Sequence, residues 1–144
     1  MLADPQRYVR REPCRVTASV KTSTRLLLAL ALVAGCSSTS QTDIADTTVN
    51  GQPFHVFREG PMPAAGVSTD LVLKPVSGTK PDTVVAWVGT DEAEPSAKTT
   101  CDYDPNDGDF DCNVTCPDPM PAAAKIYFTV TEGDAVTTVS VDIK

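Results

Sequence analysis

Apolar and polar residues alternate with a period of two through most of the chain beyond residue 51, and that part shows no helical period of 3.6. The alternation is clearest from Val67 onward. Val67, Thr69, Leu71 and Leu73 fall on one side, and Ser68, Asp70 and Lys74 on the other, which predicts a half-buried strand. Residues 125–131 (KIYFTVT) point Ile126, Phe128 and Val130 inward. Val139, Val141 and Ile143 then alternate with Ser140, Asp142 and Lys144. Residues 83–89 (TVVAWVG) are apolar on both sides, which predicts an interior strand with Trp87 in the core. Residues 53–58 (PFHVFR) read as a weaker strand, and 98–104 and 109–115 as two more.

Turn signals separate these runs: Asn50-Gly51, Gly60-Pro61-Met62-Pro63, Ser77-Gly78, Pro81-Asp82 and Glu132-Gly133-Asp134. Six or seven short strands punctuated in this way predict an all-β domain over residues 51–144, an antiparallel β-sandwich. The strand count, the central Trp87 and the hairpin-rich C-terminal half resemble small immunoglobulin-like periplasmic modules. That resemblance implies a fold and carries no activity. The segment PMPAA occurs at 61–65 and again at 119–123, each time ahead of a strand. The flanks do not match, so it reads as a stiff strand-entry segment rather than a duplicated half.

The densest local pattern is CDYDPNDGDFDC, residues 101–112. Pro105-Asn106-Asp107-Gly108 is a turn sequence. Folding the segment about it opposes Asp104 to Asp109, Tyr103 to Phe110, Asp102 to Asp111 and Cys101 to Cys112. One side then carries the aromatic rings and both cysteines, and the other carries Asp102, Asp104, Asp109 and Asp111. Cys101–Cys112 is the first disulfide candidate, with Cys101–Cys116 and Cys112–Cys116 as rivals. One thiol is left over in each case. It reads as a small buried residue, or alternatively as a reactive or intermolecular thiol. The four aspartates suggest a Ca²⁺ site, because hard cations take clustered carboxylate oxygens. The spacing departs from a calcium-loop pattern, with Gly108 one place late and Asn113 where the bidentate glutamate belongs. The competing reading is a solvated acidic hairpin that guards a sheet edge.

Ahead of the alternating part, residues 21–36 read KTSTRLLLALALVAGC. Lys21 and Arg25 precede a short apolar run that ends in Val33-Ala34-Gly35-Cys36. This order resembles the lipobox of bacterial lipoprotein signal peptides, in which the cysteine is acylated and becomes the mature N-terminus. The nine apolar residues 26–34 would rise only about 14 Å as a helix, against a hydrocarbon core of about 30 Å. The resemblance implies that residues 1–35 are removed and that Cys36 carries the lipid. Residues 1–20 hold two prolines and no apolar period, so Val20 is the more economical start. Residues 36–50, polar and Ser/Thr-rich, read as a flexible tether between lipid and domain. Ser37 after the cysteine implies, by the same resemblance, the outer membrane in a Gram-negative host.

Charge narrows the partners. From Cys36 onward six basic residues face seventeen acidic ones, a formal charge of −11, whereas the whole chain stands at −7. Such a body repels nucleic-acid phosphates and anionic headgroups, so attachment to a membrane must come from the acyl chains. The sole histidine, His55, leaves no multi-histidine metal scheme. No phosphate loop, nucleophile elbow or paired-cysteine zinc motif occurs. The expectation is a lipid-anchored envelope protein that works as a non-catalytic binding or structural module, with no cofactor, an envelope protein as partner and no nucleic acid. A Ca²⁺-binding module is the alternative, and an enzyme or inhibitor the third reading.

Overall fold

Two antiparallel sheets bury the apolar sides of the alternating segments against each other. The computed structural model describes residues 40–94 and 97–143. The signal segment, the start at Val20 and Cys36 lie outside them. The strands are β1 (Gln41–Val49), β2 (Gln52–Glu59), β3 (Ser68–Pro75), β4 (Thr83–Gly89), β5 (Thr99–Thr100), β6 (Asp102–Asp104), β7 (Asp109–Thr115), β8 (Lys125–Glu132) and β9 (Ala135–Asp142). The first sheet has the order β1-β2-β3-β7-β6 and the second β5-β4-β8-β9.

Set β1 aside, and β2-β3-β7-β6 opposite β4-β8-β9 reproduces the ABED and CFG sheets of an immunoglobulin sandwich, with β5 added beside β4. The all-β, immunoglobulin-like expectation therefore holds in strand order. The core lies between the sheets. Phe54, Val56, Leu71, Leu73, Phe110 and Val114 from the first meet Val84, Ala86, Val88, Ile126, Phe128 and Val130 from the second. Burying a large apolar side chain contributes about 1.5–3 kcal/mol. An exposed pair such as Lys125–Asp142, 3.2 Å apart, contributes about 0–1 kcal/mol, so the core dominates stability.

Three expectations need correction. Residues 41–49, read as tether, form β1, whose Ile44 and Val49 are buried. The strand expected over 98–104 is two strands, because the chain bends at Cys101 and passes from the second sheet (β5) to the first (β6). These two differences turn the expected six or seven strands into nine among the described residues. Trp87 is buried, 1% exposed, but it does not belong to the core between the sheets. It lies on the outer side of β4, where Tyr127 of β8 stacks on it at 5.0 Å and Lys98 covers it at 4.4 Å. Its Nε1–H donates to the Thr90 carbonyl at 2.8 Å. The tryptophan on the immunoglobulin C strand normally packs inward against a disulfide between the sheets, so the strand order is shared while that hallmark is not.

Candidate functional site

Side chains on the outer side of the first sheet come into rows because opposed residues of antiparallel strands share a face. One row runs Asp43, Phe57, Val72, Asp111, Asp102 across the five strands. The next begins Asp46, His55, Lys74 and continues to Asp109 and Asp104. A third is Gln41, Glu59, Asp70, Asn113. These rows hold eight carboxylates, with Lys74 and His55 as their basic side chains. Several of the acids have neutral or basic neighbours that soften their repulsion. The Asn113 amide donates to Asp70 at 2.6 Å, and Asp46 sits 2.5 Å from His55 Nδ1.

The opposite outer surface, on the second sheet, has another chemistry. Its rows are Trp87–Tyr127–Ser140, Val85–Thr129–Thr138 and Thr83–Thr131–Val136. The Thr129 and Thr138 hydroxyls bond each other at 2.7 Å. One face of the sandwich is acidic and the other is hydroxyl-bearing and aromatic.

The hairpin at the acidic edge forms as the sequence predicts. Asp104 pairs with Asp109, Tyr103 with Phe110 and Asp102 with Asp111. The Asp104 carboxylate accepts from the Asn106 amide N–H at 2.8 Å, its carbonyl accepts from Gly108 N–H at 2.8 Å, and Gly108 adopts the left-handed φ of 71° that the turn requires. Cys101 and Cys112 are disulfide-bonded with Cα atoms 4.3 Å apart, the spacing of a closely opposed pair. Cys116 lies one residue beyond the end of β7 and four residues after Cys112, about 13 Å away at ~3.3 Å per residue of extended chain. That separation is beyond the ~7 Å reach of a disulfide, so this rival pairing fails on geometry. Cys116 is the free thiol among the described residues and is buried, 2% exposed. Burial pushes its pKa above the ordinary 9.0, opposed by a hydrogen bond with the Ala64 backbone.

The four candidate calcium ligands do not share one open surface. Asp102 is exposed, Asp104 and Asp111 are partly covered, and Asp109 is 1% exposed. The cover over Asp109 is Lys74, whose ammonium lies 3.7 Å from its carboxylate and donates to the Asp107 carbonyl at 2.9 Å. A lysine thus supplies positive charge among the carboxylates that the alternative reading gave to a calcium ion. Among the described residues no group of three or more His, Cys, Asp or Glu is arranged to hold a metal.

Sequence reasoning placed Lys74 and Asp109 each on an outer side but did not bring them together. Only the neighbouring of β3 and β7, which are far apart in the chain, does that. The Trp87–Tyr127 stack had a local signal, since KIYFTVT turns Tyr127 outward when Ile126 and Phe128 turn in.

A shallow cleft of about 300 Å³ lies at one end of the sandwich, among Gln52, Thr79, Lys80, Asp82, Glu132 and Gly133. Its polar groups are engaged in holding loops. Gln52 donates to the Thr79 carbonyl at 3.0 Å, Asp82 accepts from Gly133 N–H at 2.7 Å, and Lys80 sits 4.4 Å over the Tyr103 ring.

No family model, no curated protein and no solved structure matches this chain.

Proposed function

We propose that the chain is a lipid-anchored protein of the cell envelope, held by acyl groups on Cys36, and that its sandwich acts by binding or by structure rather than by catalysis. The single observation that carries this reading is the order Val33-Ala34-Gly35-Cys36 after a basic and a short apolar segment. The disulfide between Cys101 and Cys112 is in keeping with an oxidising compartment outside the cytoplasm. Several acyl chains, each adding about 0.8 kcal/mol per buried CH₂, hold such a protein effectively permanently.

The position of β1 refines the geometry of this anchor. Four residues, 37–40, separate Cys36 from β1. Fully extended, the step from Cys36 to Gln41 spans at most about 17 Å. The sandwich is therefore carried close to the bilayer, and its acidic face is the surface offered to a basic partner in the envelope.

Labelling cells with radioactive palmitate tests the anchor. The expected result is label on the wild-type chain, no label on Cys36→Ser, and release of that variant from the membrane fraction. A wild-type chain that takes up no label overturns the reading.

A further inference from the structure

Trp87, Tyr127 and Ser140 stand in one row across the outer side of the second sheet, each directly opposed to the next. The two rings lie parallel, 6° apart in plane with centroids at 5.0 Å, and Lys98 lies over the indole at 4.4 Å. The ladder runs ammonium, indole, phenol, and stops there. Trp87 occupies the β4 side of the Tyr127 ring, so the other ring face turns toward β9, where the next position is Ser140. Opposed Cβ atoms on a sheet are about 4.5–5.5 Å apart. A side chain as short as serine therefore leaves room above it for one further ring. Tyr127 is partly exposed and Ser140 exposed, whereas Trp87 is buried beneath its neighbours.

Polar groups flank this slot along the strands. Two residues toward one end, Lys125 and Asp142 oppose each other on the same outer side at 3.2 Å. Two residues toward the other end, the Thr129 and Thr138 hydroxyls bond each other at 2.7 Å. Each hydroxyl oxygen keeps acceptor capacity beyond that bond. At ~3.3 Å per residue these pairs stand about 7 Å to either side of Ser140.

We propose that the slot beside Tyr127 binds one pyranose ring of a neutral glycan. A pyranose has an apolar C–H face, which stacks on a tyrosine ring, and a rim of hydroxyls. The sugar lies against Tyr127 above Ser140. Its rim hydroxyls donate to the Asp142 carboxylate and the Thr138 hydroxyl and accept from the Lys125 ammonium. An aromatic wall with a few placed polar groups is the usual make-up of a small-ligand site. Charge selects the occupant. The three rows of this face hold no charged residue, and Lys125 and Asp142 at their end offset each other. The chain from Cys36 onward, at −11, repels an anionic polymer. Among the described residues of this sheet, Val136 alone is a large hydrophobic left well exposed, at 66%, so the face lacks the apolar patch at the centre of protein interfaces. The slot is the same whether or not Cys36 is acylated.

Isothermal titration of the full chain with cellohexaose and with chitohexaose, in a polyoxyethylene detergent that carries no sugar, reads the binding. Wild type should bind at least one of these neutral hexamers with half-saturation on the order of 1 mM or below. Tyr127→Ala removes the stacking ring and should weaken binding about tenfold. That change also uncovers Trp87, so a second variant separates loss of the slot from loss of fold. Ser140→Tyr puts a third ring where the sugar stacks, at an exposed strand position that favours aromatic residues. It should abolish binding and leave the melting temperature no lower than that of wild type. Polygalacturonate, an anionic chain of pyranose units, should bind less well than the neutral hexamers. No heat from either hexamer at several times the expected half-saturation, a Ser140→Tyr protein that binds as wild type does, or tighter binding of polygalacturonate overturns the proposal.

Discussion

Cys116 shows how one buried atom shapes the response of the whole fold to pH. Its thiol sits in the core beyond the end of β7, and burial raises its pKa above 9.0. In the unfolded chain the thiol ionises near 9.0; in the folded chain it stays protonated to higher pH. Below 9.0 both states hold the proton and the thiol's contribution to stability is intact. Above it the unfolded state loses its proton first, so stability falls as pH rises. Cys116→Ala should therefore be less stable than wild type near neutrality, and the gap between the two should shrink between pH 9 and the folded-state pKa. Urea melts of both proteins at pH 7.5 and pH 10, without added thiol, read this directly; a gap that stays constant or widens contradicts it.

At the scale of elements, the sequence was legible where alternation was strict and silent where geometry interrupts it. Leu71 and Leu73, Ile126, Phe128 and Val130 declare their inward sides, and all five are fully buried. β1 is hidden because its irregularity sets Ile44 beside Ala45 and because Thr47 occupies an inward place, opposite Phe54, where an apolar residue would have shown the period. Trp87 was legible as buried but not as to side, since TVVAWVG is apolar on both. The 101–112 hairpin was legible down to its register, because turn residues and paired side chains all lie within twelve positions. The Lys74–Asp109 contact was not, because it depends on β3 and β7, distant in the chain, lying side by side in the first sheet. The hairpin's disulfide closes a short loop at the corner where the chain changes sheets, with a sequence separation of eleven. Chain-entropy arithmetic assigns such a loop about 3 kcal/mol. Cys101→Ala with Cys112→Ala should lower the unfolding free energy by about that much, and amide exchange should rise first in β5 and β6, which have few strand partners of their own. Equal protection loss across all strands would show that the corner is not a separate unit.

For the whole molecule, the segregation of charge onto one face of the sandwich makes stability depend on ionic strength. The core fixes the two sheets regardless of salt, but the rows of the first sheet hold carboxylates against carboxylates, with Asp102 opposite Asp111 and Asp104 opposite Asp109. Like charges directly opposed on a sheet destabilise it. At low ionic strength the Debye length of about 30 Å at 0.01 M lets the acids of the face act on one another, whereas at 1 M it falls to about 3 Å. Raising sodium chloride across that range should therefore raise the melting temperature. Asp102→Asn removes the exposed member of the Asp102–Asp111 pair and leaves the Lys74–Asp109 contact in place. It should stabilise the fold by about 0.5 kcal/mol at low salt and by almost nothing at high salt. The mirror substitution on the other sheet, Ser140→Asn, adds and removes no charge and should show no such salt dependence. If Asp102→Asn gains the same stability at both salt concentrations, the effect comes from local strand propensity rather than from repulsion, and the acidic face is not the source of strain that its rows imply.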